Sequence, residues 1–127
     1  MNDATTTLAE LVSALAEFNR ARDWERFHTP RDLAMALSVE AAELLELFLW
    51  KAGPDALPEK ERLEEELGDV LICLANLAAR AGVDLMAAAE GKLAKNALKY
   101  PVERARGNAR KWDELEEGDA ADHDPVR

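Results

Sequence analysis

Apolar residues recur at helical spacing along most of the chain. Leu8, Leu11, Val12, Leu15 and Phe18 predict a first helix over residues 7–22. After a short aromatic stretch containing Trp24, Phe27 and His28, Thr29-Pro30 reads as an N-cap followed by proline at the first helical position. The second predicted helix spans residues 30–51, with Gly53-Pro54 as its stop. After a short connection to about residue 57, Pro58 opens a third helix that ends at Gly82, a C-cap glycine. Asp84 is placed to cap a fourth, which ends before Pro101. The expected fold is all-α, an antiparallel bundle of four main helices, with the second and third forming the central pair.

Within that pattern some residues are out of place. Leu33, Leu37, Leu44 and Leu47 define the apolar stripe of the second helix, and Glu40 falls inside it. Glu43 lies at its edge, while Glu46 points away. On the third helix the expected stripe is Leu63, Leu67, Val70, Leu74 and Leu77. Glu66 borders it, and Asp69 lies about 60° further round the same side. Glu64 and Glu65 face outward. Each helix of the pair therefore carries an acidic i, i+3 couple at its inner face. An ionised carboxylate is costly to bury unless it is paired or binds metal, and no basic residue occurs between Leu33 and Lys51. Converging carboxylates of this kind suit a hard cation, Mg²⁺ or Mn²⁺. Leu45, Leu49 and Ile72 lie off the stripes, where a second copy of the chain could cover them.

Composition narrows the class. The chain has 127 residues and a net charge of −10, with 6% aromatic residues. Such acidity disfavours a nucleic-acid binder. One cysteine, Cys73, excludes an internal disulfide framework and fits a reducing compartment. No run of about 18 apolar residues is present, and the first residues lack the pattern of a secretory signal. A cytoplasmic protein with no membrane span is expected. Its domain would cover residues 1–112, followed by an acidic tail, 113–127, without fixed structure.

The string from Arg22 through Trp24, His28 and Pro30 to Leu33 resembles the entry segment of dCTP pyrophosphatases, in the MazG-like superfamily of all-α nucleoside triphosphate pyrophosphohydrolases. Glu40-Ala41-Ala42-Glu43 with the following Glu46 resembles that family's first metal motif, and Glu66-Leu67-Gly68-Asp69 its second. Lys92, Asn96, Lys99, Tyr100 and Pro101 resemble its closing element. The resemblance runs from about residue 8 to 112, and one small departure is Asp32 where asparagine is expected.

The resemblance implies a dimer or tetramer that hydrolyses a nucleoside triphosphate to the monophosphate and pyrophosphate. Its most natural substrate is dCTP or a modified dCTP, as in cleansing of the nucleotide pool. It implies Glu40, Glu43, Glu66 and Asp69 as Mg²⁺ ligands, and Trp24, His28 and Trp50 near the base and sugar. Lys92, Asn96 and Tyr100 would meet the phosphates or sugar. Their i, i+4, i+8 spacing places them on one helix face, as a phosphate clamp needs. The alternatives are a relative acting on dUTP or on mixed nucleotides, and a non-catalytic helical interaction module. A di-iron carboxylate bundle is disfavoured, because that architecture takes an ExxH motif from each of two helices, and of the two histidines, His28 and His123, only His28 has a glutamate three residues before it, Glu25.

Overall fold

The computed structural model describes residues 1–115; the acidic tail expected beyond them lies outside the described residues except for its first three positions. Among the described residues there is no strand. The helices are α1 (Leu8–Ala21), α2 (Pro30–Glu46), α3 (Lys60–Ala81), α4 (Leu85–Lys99) and the short α5 (Val102–Ala105). Short 3₁₀ turns span Glu25–Phe27 and Trp112–Glu114. The described backbone forms two compact units, Met1–Leu85 and a second that begins at Met86.

In the first unit α3 packs against both α2 and α1. Local chemistry fixes the helix ends. Thr7 caps α1 in a capping box with Glu10: the Glu10 N–H donates to Thr7 Oγ1 at 3.2 Å, and the Thr7 N–H donates to the Glu10 carboxylate. Thr29 caps α2 by accepting the Asp32 N–H at 3.1 Å, with Pro30 at the first helical position. Gly82 ends α3 at φ 68°, where its N–H and that of Val83 donate back to the Ala79 and Ala78 carbonyls.

The α2–α3 connection departs from the sequence reading. α2 stops at Glu46, not near Lys51, because the N–H groups of Leu47, Phe48 and Leu49 bond three residues back and tighten the chain into a turn. Trp50 then adopts φ 62°, left-handed backbone that cannot continue a helix. α3 starts at Lys60, two residues after a buried Pro58. The link therefore covers residues 47–59 and is longer than expected.

The core is small. Leu33 and Leu47 are buried at the two ends of α2, each contributing about 2 kcal/mol. Ala75 and Ala78 of α3 are buried where small side chains let helices approach closely. The apolar face of α3 is rotated relative to the expected stripe. Leu67 is 50% exposed, and Leu74 is also exposed, whereas Glu66 is half-buried beside Leu63 and Val70. On α1 the inner stripe ends at Asn19 and not at Phe18. Phe18 is exposed, with the Arg22 guanidinium stacked 3.6 Å above its ring. Leu45, Leu49 and Ile72 are exposed, as their off-stripe positions predict.

In the second unit, Pro101 separates α4 from α5. The Lys99 ammonium lies 5.3 Å above the Trp112 ring, a cation–π contact that ties the 3₁₀ turn to the end of α4. Asn108 donates to the Arg104 carbonyl at 2.9 Å and closes the end of α5. No single helix among the described residues is long and apolar enough to cross a membrane.

Candidate functional site

Glu40 is carried into the α2–α3 contact by the same periodicity that places Leu33, Leu37, Leu44 and Leu47 there. Glu43 follows one turn on, and Glu66 faces both from α3. Carboxylate oxygens of these three residues lie within 4.8 Å of one another. The electrostatic neighbours show how the helices run. Glu66 feels Glu43, whereas Cys73, two turns further along α3, feels Glu40. Falling numbers on α2 meet rising numbers on α3, so the pair is antiparallel.

Oε2 of Glu40 and Oε2 of Glu66 are both sealed from solvent and have no hydrogen-bond partner. Burial pushes the Glu40 carboxyl above its ordinary value; a shared hydrogen bond and repulsion from Glu43, then repulsion from Asp69 and Glu66, act in the same direction. Burial likewise raises Glu66, with Glu43, Asp69 and Glu65 adding to it and only Arg62 opposing. Asp69, on the exposed side of α3, stands outside the tight trio but within electrostatic reach of Glu40, Glu66 and Cys73. Burial, Glu40 and Asp69 all push the Cys73 thiol up, which keeps it protonated and unreactive.

The donor set fits a divalent cation. Two enclosed, unpartnered oxygens and a third carboxylate within reach form an all-oxygen group that repels itself until positive charge is placed in it.

A second feature of the first unit is a cleft of about 290 Å³ between α1, the 3₁₀ turn and α3. Val12, Leu15 and Ala75 give it apolar walls, and Asn19, Asn76, Glu25, His28 and Arg80 supply its polar groups. Half-buried His28 is thus placed in a cavity. Trp24 stands just before the turn, its ring edge-on to Phe18 with centroids 5.7 Å apart. Its backbone N–H donates to the Asn19 carbonyl at 3.0 Å. Trp50 projects from the turn after α2 and is 96% exposed.

Lys92, Asn96 and Tyr100 belong to the second unit. Lys92 is exposed on α4 and Asn96 is half-buried. The Tyr100 N–H donates to the Asn96 carbonyl at 2.8 Å, so the helical path extends one residue beyond α4 and keeps the three on one face.

The sequence reading passed over Asn19, Asn76, Glu25 and Arg80. A signal for the first two was available: each asparagine continues or interrupts an otherwise apolar helix face, as Glu40 does.

Comparison with known proteins finds relatives over most of the chain. Residues 35–115 match the model of the MazG-like family. The chain is 48% identical over 126 residues to dCTP pyrophosphatase 1 of Mus musculus, covering 94% of this chain and 74% of that protein. It is also 48% identical over 118 residues to dCTP pyrophosphatase 1 of Homo sapiens, covering 88% and 69%. Among solved structures, that of a pyrophosphatase from Archaeoglobus fulgidus aligns with a TM-score of 0.71 and 38% identity, over 80% of this chain and 98% of that one.

Proposed function

The chain belongs to the MazG-like family and is a dCTP diphosphatase-like hydrolase, and from that premise we propose that it is a Mg²⁺-dependent enzyme converting dCTP, or a modified dCTP, to the monophosphate and pyrophosphate. The observation that carries the metal reading is the pair of sealed, unpartnered Oε2 atoms on Glu40 and Glu66 with Glu43 in reach. The substrate reading draws on the likeness to dCTP pyrophosphatases.

Glu40, Glu43, Glu66 and Asp69 would hold the cation; Mn²⁺ suits the same oxygens. A divalent ion held there would supply charge neutralisation along the triphosphate and polarisation of a water for attack on the α-phosphorus. The chain's own residues supply the rest. Glu43, the exposed member of the trio, or a glutamate beside it orients the attacking water. His28 and Trp24 contact the base from the cleft and its rim, and exposed Trp50 covers base or sugar. The resemblance assigns Lys92 to offset negative charge on the phosphates, and Asn96 and Tyr100 to hold phosphate or sugar by neutral hydrogen bonds, within one subunit or across a subunit boundary.

The exposed Leu45, Leu49 and Ile72, with Met35 and Val39 on α2, favour a homo-oligomer, a dimer or tetramer, in which a second copy covers them. A cytoplasmic enzyme of nucleotide-pool cleansing is the corresponding biological role.

The test is incubation with Mg²⁺ and a panel of ribo- and deoxynucleoside triphosphates, including modified cytosines, with monophosphate and pyrophosphate quantified. EDTA-sensitive pyrophosphate release with a cytosine preference supports the whole reading. Equal or greater activity on dUTP or on mixed bases retains the metal site and discards the dCTP assignment. A folded protein without turnover would be a helical interaction module.

A further inference from the structure

Asn19 and Asn76 form a polar tie across a cleft whose other α1 wall residues are apolar. Asn19 is only 6% exposed, and its Nδ2 donates to Asn76 Oδ1 at 3.0 Å. Its backbone carbonyl meanwhile accepts the Trp24 N–H. A carboxamide has one acceptor oxygen and two N–H donors. The tie therefore leaves Asn19 Oδ1 as a free acceptor and Asn76 Nδ2 as a free donor among the described residues. Neither is sealed from solvent, because the sealed, unpartnered side-chain atoms among those residues are the Glu40 and Glu66 oxygens. Both residues line the cleft that also carries His28.

This cleft and the carboxylates share α3. Asn76 follows Asp69 by seven residues, about 10 Å along the axis and within about 20° around it. Cys73 lies between them, close enough to the metal-site carboxylates to feel Glu40 and Asp69. A nucleotide can lie along this track with its phosphates at the carboxylates and its base beside the asparagines.

We propose that Asn19 and Asn76 are specificity-determining residues that read the edge of the base: Asn19 Oδ1 accepts from the 4-amino group of cytosine, and Asn76 Nδ2 donates to the neighbouring ring nitrogen. Uracil held in the same position presents an oxygen and an N–H at those two places, so two repulsive contacts replace two hydrogen bonds. The direction of the tie matters, since it decides which asparagine offers the acceptor. The inference rests on the pyrophosphohydrolase reading above and adds the residues that choose the base.

The experiment measures kcat and KM with Mg²⁺ for dCTP, dUTP and the deoxynucleoside triphosphate of 4-unsubstituted pyrimidin-2-one, which lacks only the amino group. Wild type, Asn19→Ala and Asn76→Ala are compared. The wild type is expected to prefer dCTP over the amine-less substrate by about tenfold, the effect of one lost hydrogen bond in a desolvated site. Asn19→Ala should bring that ratio close to one, chiefly through KM for dCTP. Asn76→Ala should narrow the gap between dCTP and dUTP. The Mg²⁺-induced thermal shift should stay at the wild-type value in both. Variants that slow all three substrates equally, with ratios intact, would overturn the inference and leave the asparagines as a tie between α1 and α3. A wild-type preference for dUTP overturns it as well. If wild type cleaves no nucleotide, the pyrophosphohydrolase reading falls and this inference with it. Should Asn19→Ala fail to fold, Asn76→Ala decides, because Asn76 is less buried.

Discussion

Glu40 and Glu66 face each other from antiparallel helices, and each ends in an oxygen that neither water nor any protein group reaches. A folded chain that encloses two such atoms loses stability unless something else satisfies them. Glu40→Gln should therefore raise the melting temperature of the metal-free protein by a few degrees, while erasing most of the stabilisation that Mg²⁺ gives the wild type. Calorimetry with and without Mg²⁺ checks both halves. A Glu40→Gln protein that Mg²⁺ stabilises as strongly as the wild type removes Glu40 from the site.

Turnover depends on the same oxygens. Glu40→Ala and Asp69→Ala should each lower kcat by about 100-fold or more and leave the helical circular dichroism spectrum unchanged. Wild-type activity in either variant would show the metal assignment to be wrong.

The raised carboxyls set a pH dependence. Below the ordinary carboxylate range, Glu40 and Glu66 are protonated in both the folded and the unfolded chain, so burial carries no charge penalty. As pH rises through that range, the unfolded chain releases these protons first while the folded chain retains them, so the metal-free protein loses stability until the raised folded values are passed. Mg²⁺ competes with the retained protons. The thermal shift it produces should accordingly be small near pH 5 and grow towards pH 8. A shift independent of pH would separate the metal from these two carboxyls.

Trp50 combines a left-handed backbone with nearly complete exposure. A non-glycine residue there costs about 1–2 kcal/mol. Trp50→Gly should stabilise the isolated chain by about 1 kcal/mol in chemical denaturation and raise KM for the nucleotide at least severalfold. Unchanged kinetics would leave the strained tryptophan without a part in substrate binding.

Gly82 gives the opposite case. A Cβ at this position meets no atom within 4 Å, so Gly82→Ala tests the backbone alone. At φ 68° the substitution should destabilise by about 1 kcal/mol without altering kinetics. A neutral effect on stability would mean that the end of α3 relaxes into another conformation.

Much of the first unit was legible because periodicity and caps agree. Thr7, Thr29 and Gly82 mark helix ends in the sequence and in the structure alike, and Glu40 is conspicuous inside a leucine stripe. Other features needed three dimensions. A helical wheel ranks Leu67 above Glu66 as a core residue, since hydrophobicity is all it measures. The fold half-buries the glutamate opposite Glu40 and Glu43 of α2, a convergence of like charges that hydrophobicity alone does not anticipate. The early end of α2 was hidden because residues 47–50 are as apolar as a helix interior, and the tightened hydrogen bonds there carry no compositional mark. The cleft was invisible for a related reason. Asn19 and Asn76 are 57 residues apart, and nothing local announces that they meet.

The placing of apolar contacts and carboxylates along the central helix pair gives α2 a mechanical character. Leu33 and Leu47 clamp its two ends, while Glu40 and Glu43 push against Glu66 from its middle. The pair is held by apolar contacts at its ends and repels at its middle, and positive charge placed there would lower that repulsion. The helix that carries Glu66 also carries Asn76 of the cleft wall ten residues further on, so the carboxylates and the cleft are mounted on one rigid rod.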